Sequence, residues 1–351
     1  MLRTPTLLIL AIVCSFAAVH ADQGGDNLVV IGYYTAWDRE HYPAEAVDFS
    51  ILTHLNHAFA WPNDDAGIDM WDGYLYPELI EAAHRNGRRI CVSLGGWGQC
   101  ESFPGIAADP NLRATFVKNV MDFIVRHGYD GVDVDWEFPA NPEEKASLNL
   151  LMRDIRKAGD KLGRPFILTM AISAGTWSHT QNDYTELSRY VDWYNVMTYD
   201  YHGNWTIHAG HLAPLMGFQE SVNTTMKFLM DKMNVPAKQI VLGLPFYGRL
   251  FTASYIGAIG SGGDSIPYRT IVDKIDTGWQ KKWDDAAQAT YLVNPMKTQI
   301  LTYDSPKTII MKCKYAQQKG LRGVMIWAAG SDYISDKSEP LLEAVGSAYG
   351  E

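Results

Sequence analysis

Strand-like and helix-like stretches alternate along most of these 351 residues, which predicts an α/β fold built from parallel βαβ units. Eight strand candidates occur, most of them short β-branched runs bounded by Gly, Pro or Asn. Several helix candidates between them begin at Pro and stop before Gly. Eight strands in this order suggest a (β/α)8 barrel. A doubly wound open sheet satisfies the same alternation.

The strands are expected at Leu28–Tyr34, Leu52–Phe59, Arg89–Leu94, Gly131–Glu137, Ile167–Ile172, Trp193–Thr198, Ile240–Phe246 and Gly323–Trp327. Helices fit between them. Pro77–Asn86 has an early Pro and ends before Gly87. Pro110–His127 places apolar residues at helical spacing and stops at Gly128. Pro142–Leu162, Gln219–Met233, Lys307–Lys319 and Leu341–Tyr349 complete the set. From Arg249 to Tyr303 no single helix fits. Gly257–Gly263 is Gly-rich, Tyr268–Lys274 reads as helical, and Gly278–Tyr291 carries Trp279, Trp283 and Tyr291 like a small sheet. A connection this long is rarely structureless.

Composition narrows the class. A hydrophobic share of 47% supports a sizeable core, and no low-complexity stretch points to disorder. Residues 1–21 read as a secretory leader: Arg3, then the apolar run Leu7–Val13, then small residues up to Ala21. That run is too short to span a membrane, so residues 22–351 are expected outside the cell. A formal charge of −10 does not favour nucleic acid or anionic membranes. Of four cysteines, Cys14 leaves with the leader. Cys91 reads as a packed thiol on a strand, and a Cys91–Cys100 bridge stays open. No metal-ligand spacing of Cys or His appears.

The fourth strand carries the chemistry: Asp130-Gly131-Val132-Asp133-Val134-Asp135-Trp136-Glu137-Phe138-Pro139. With a period of two, Asp133, Asp135 and Glu137 share one face, and Val132, Val134, Trp136 and Phe138 the other. The apolar face suits packing against helices. The carboxylate face does not, because burying like charges is costly. A solvated edge strand would not need so apolar an opposite face. A metal site would draw ligands from several elements, whereas same-face neighbours on one strand lie roughly 7 Å apart. Stacked carboxyls that push their pKa values apart serve acid–base chemistry, as glycosidic cleavage requires.

The pattern Asp-x-x-Asp-x-Asp-x-Glu followed by Phe-Pro resembles the signature of family 18 glycoside hydrolases, the chitinase family. Ser93-Leu94-Gly95-Gly96-Trp97 resembles its Ser-x-Gly-Gly motif, and Met197-Thr198-Tyr199-Asp200 its Met-x-Tyr-Asp motif. The resemblance selects the barrel over the doubly wound sheet. It also implies a small α+β insertion at about residues 250–303, between the seventh strand and its helix.

The resemblance implies a retaining, substrate-assisted hydrolysis of β-1,4 bonds between N-acetylglucosamine units. Glu137 is then general acid and base, Asp135 holds the substrate acetamide, Asp133 shares a proton with Asp135, and Tyr199 fixes the acetamide carbonyl. Substrate contacts are implied for Tyr33, Phe59, Gly96, Trp97, Met197, Asp200, Tyr247, Arg249 and Trp327, with Trp37 and Trp205 beside them. Ser93 and Asp130 are expected as structural supports. The implied partner is chitin or a chitooligosaccharide, bound by a monomer without cofactor or metal. Two alternatives remain: a catalytically silent chitin-binding lectin, and a hydrolase of peptidoglycan or the N-glycan core.

Overall fold

The computed structural model describes residues 28–217 and 220–350. The expected leader lies outside the described residues. Strands β1 (Val29–Thr35), β2 (His54–Pro62), β3 (Arg89–Gly95), β4 (Gly131–Asp135), β5 (Ile167–Ser173), β6 (Trp193–Met197) and β7 (Ile240–Pro245) follow one another in space. Five further strands, β8–β12, belong to an insertion, and β13 (Gly323–Ala329) comes last. All barrel pairings are parallel, and β13 pairs with both β7 and β1. The sheet closes through β1 and β2, giving the expected (β/α)8 barrel.

Burial follows the strand period. Val132 and Val134 point outward into the large core shared with the helices. A smaller cluster, including Ile31, Tyr33, Trp193, Val241 and Met325, fills the inside. Helix ends match their residues: the Asp109 side chain caps Pro110–His127, and Gly128 ends it at φ 83°. Some boundaries differ from expectation. The helix from Pro142 stops at Gly159, which lies against the Phe166 ring where a Cβ would not fit. The helix expected from Gln219 begins at Val222, behind a capping box on Ser221, and loosens into a π turn over Phe228–Lys232.

The insertion is an antiparallel sheet of β8 (Tyr247–Thr252), β9 (Ser261–Pro267), β10 (Gln280–Asp284), β11 (Ala289–Val293) and β12 (Ile300–Tyr303), with helix Tyr268–Asp276. The Gly-rich stretch enters β9, where Gly262 and Gly263 take positive φ at a bulge. Arg269 fastens this unit to the barrel. Its guanidinium meets Asp38 at 2.9 Å and the Gly330 carbonyl at 3.2 Å, and its backbone N–H donates to Ser331 O.

Beyond β13, Asp332 Oδ2 accepts from the N–H groups of Leu341 and Leu342, starting helix Pro340–Tyr349. Beside it, Glu339 accepts from the Tyr42 hydroxyl at 2.7 Å. Burial, then the Asp332 charge, raises Glu339 from 4.5 to about 8, with Asp48 and Glu343 adding repulsion. The folded chain keeps this proton after the unfolded chain has released it. Its stabilising contribution is therefore complete below about 4.5 and is lost as pH rises through about 8. Glu339→Gln is expected to raise Tm over wild type at about pH 8, with most of that gain absent at about pH 5. Thermal melts at both values check it.

Candidate active site

The acidic strand sits between β3 and β5, in a register that sets Ser93 beside Asp133 and Gly95 beside Asp135. Asp133 points into the barrel and is fully buried. Four donors fill its oxygens: Tyr33 Oη at 2.7 Å, Ser93 Oγ at 2.8 Å, Thr169 Oγ1 at 2.6 Å and Asn195 Nδ2 at 3.0 Å. Burial raises its pKa, and these four bonds oppose the rise. These four donors engage both Asp133 oxygens.

Asp135 is 3% exposed, and its Oδ1 lacks a partner among the described residues. Burial pushes its pKa well up, and the charges of Glu137 and Asp133 add to this. Glu137 lies two residues beyond, past the end of β4, half-buried in the wall of a groove. Burial, then the Asp200 charge, raises it from 4.5 to about 7, against a lowering contribution from the Trp97 backbone N–H. It is thus a proton donor poised near neutral pH.

Cys100 belongs to none of the motifs, yet it braces this segment. Its Sγ accepts the Glu137 N–H at 3.2 Å and lies 3.2 Å from Asp135 O and 3.3 Å from Gly96 O, both acceptors for its proton. Burial raises the thiol to about 12, so it stays protonated. It is not bridged to Cys91; both are free and buried. Cys100→Ser preserves these bonds and is expected to stay within about threefold of wild-type kcat. Cys100→Val removes them and is expected to lower kcat roughly tenfold with KM little changed. Steady-state kinetics on the three proteins check this.

The groove holds about 780 Å³ at the C-terminal ends of the strands. Trp327 forms its floor, meeting Phe59 and Tyr33 with ring centroids 5.7 Å away in each case. Trp37 extends this surface toward Tyr74 and Trp71. On the barrel's inner wall, the Tyr199 hydroxyl reaches only Met325 Sδ, at 3.9 Å, among the described residues. Asp200 takes a left-handed φ of 59° and accepts from Tyr247 Oη and from Arg249 Nε and Nη2 at 2.7–3.0 Å. Arg249 stacks on Trp205, 4.9 Å from the ring centroid. Trp97 and Met197 complete the sequence-derived lining.

Two expected placements change. Gly96 does not line the groove: it lies under the Phe59 ring at φ 92° and donates to Asp135 O, so it shapes the turn. Phe138 does not share the packed face with Trp136. The backbone leaves the strand at Asp135, so Trp136 stacks on Phe103 in the core while Phe138 lines the groove. Asp130, expected as a structural support, sits at the other end of the barrel, bonded to His84, Arg89 and Ile90 N. Sequence reasoning missed Thr169 and Asn195. Their one signal was polarity at positions that face inward on otherwise apolar strands. Among the described residues no cluster of three His, Cys, Asp or Glu is placed to hold a metal, and no helix is long and apolar enough to cross a membrane.

Flat aromatic faces suit pyranose rings, and a carboxyl titrating near 7 suits protonation of a glycosidic oxygen. Fold and groove together define a barrel glycosidase. The profile of the glycosyl hydrolases family 18 matches residues 29–332, and the chain belongs to that family. It is 29% identical to probable chitinase 2 of Drosophila melanogaster, over 93% of this chain and 77% of that one. Endochitinase 1 of Metarhizium robertsii is 30% identical over 86% of this chain and 80% of its own. An immunomodulatory active chitinase from Trichuris suis superimposes with a TM-score of 0.86 at 27% identity, covering 92% of this chain and 100% of that chain.

Proposed function

We propose that this protein is a secreted chitinase that cleaves β-1,4 bonds between N-acetylglucosamine units with retention, using the substrate's own acetamide as nucleophile. The observation that carries this reading is the buried, partnerless Oδ1 of Asp135 beside Glu137. Such an atom is costly unless a ligand supplies its donor, and the acetamide N–H is that donor. Glu137 protonates the leaving oxygen, and the acetamide oxygen attacks the anomeric carbon, giving an oxazolinium ion. Asp135 accepts the acetamide N–H beside that developing positive charge, and the Tyr199 hydroxyl donates to the acetamide oxygen. Glu137, now a base, then takes a proton from the attacking water. Asp133, fully buried and held by four donors, is set back from the groove and is not itself a nucleophile. Chitinase names among the relatives support the substrate, and the sequence of residues 1–21 supports secretion.

The test is incubation with chitin oligomers, reading products by mass and by anomeric configuration before mutarotation. β-Anomeric products support the reading. Binding without cleavage would make the protein a lectin, and α-anomeric products would overturn retention.

A further inference from the structure

Glu137 stands between two exposed tryptophans, and only one of them belongs to a motif. Trp97 follows β3 and is 80% exposed; Trp177 follows β5 and is 63% exposed. These strands are the two barrel neighbours of β4. An indole left this open presents a large apolar area to solvent.

The turn that presents Trp177 is fixed. Gly175 N donates to Ser173 Oγ at 2.9 Å, and Ser178 Oγ donates to Gly175 O at 3.0 Å. His179, fully buried, anchors the far end of the short helix through the Tyr184 hydroxyl at 2.7 Å. The indole folds over Gly175, where a Cβ would meet its Nε1 at 2.7 Å. Phe138, next in chain to Glu137, braces it edge-on, with ring centroids 5.6 Å apart and planes at 88°. Both rings line the groove.

Their position relative to the acid gives them a meaning. β13, which carries the Trp327 floor, lies diametrically across the barrel from β4, and Trp37 and Phe59 gather on that flank. On the hydrolase reading the sugar whose acetamide reaches Asp135 rests on that floor, which leaves the Phe138 and Trp177 flank of the groove for the departing sugar.

We propose that Trp177, braced by Phe138, is a platform for the apolar face of an N-acetylhexosamine on the leaving-group side. It thereby sets the register in which an oligomer is cut. This inference rests on the hydrolase reading.

The test compares wild type, Trp177→Ala and Trp177→Phe on two substrates. One is a chitin hexamer labelled at its reducing end. The other is a 4-nitrophenyl chitobioside, whose aglycone is too short to need the platform. Trp177→Ala is expected to move the hexamer cut toward shorter labelled fragments by about fivefold in product ratio. Its kcat on the chitobioside should stay within about twofold, and Trp177→Phe should restore most of the register. An unchanged product ratio, or equal losses on both substrates, overturns the platform. If wild type cleaves neither substrate, the hydrolase reading fails separately, and the hexamer Kd then decides. A several-fold weaker Trp177→Ala retains the platform, and an equal Kd removes it.

Discussion

Glu137→Gln is expected to reduce turnover of chitin oligomers by about a thousandfold or more, while their affinity changes by no more than a few-fold. The substitution keeps shape and the approach of the Trp97 N–H but cannot give up a proton. The wild-type pH profile carries the same information. The acid role needs the protonated form, and Glu137 in the free protein titrates at about 7, so kcat/KM is expected to fall as pH rises through that value. The residual activity of the variant should lack this limb. Initial rates and oligomer titrations at several pH values check both halves. A variant that keeps most of its activity removes Glu137 from the acid role.

The second large effect concerns the substrate. Cellulose oligomers, identical in linkage but with a hydroxyl where chitin has its acetamido group, are expected to be cleaved at under about one thousandth of the chitin rate. Proximity is the reason: a positioned acetamide oxygen replaces an encounter with a separate nucleophile. On the proposed reading the acetamide N–H goes to Asp135 Oδ1 and its oxygen to the Tyr199 hydroxyl; among the described residues the first atom has no partner and the second reaches only Met325 Sδ. A substrate lacking the acetamide leaves both unused. Rates on matched pentamers decide it, and rapid cellulose cleavage would end the substrate-assisted scheme.

The alternation of strands and helices was legible because most strands are short β-branched runs bounded by Gly, Pro or Asn; the choice of a barrel over a doubly wound sheet came from the family resemblance, because closure leaves no local signal. The acid and its neighbours were legible because four carboxyl residues in eight positions have few packing explanations. What escaped depends on closure of the ring. Thr169 and Asn195 are single polar residues on different strands, and only the barrel brings them to Asp133. Phe138 was assigned to the packed face because strict alternation was extended past Asp135, where the strand ends. Gly96 sits in a motif, but a motif does not say which atoms face the groove. Trp177 and Cys100 gave no spacing signal at all.

The way Asp133 is enclosed bears on how the protein comes into being. Its four donors come from β1, β3, β5 and β6, and the floor of the groove arrives only with β13. A nascent chain that has emerged as far as the acidic strand therefore has its proton donor in sequence but no machine around it. The complete site exists only once the last strand has docked beside the first. In a denaturant titration activity should therefore be lost no later than the barrel.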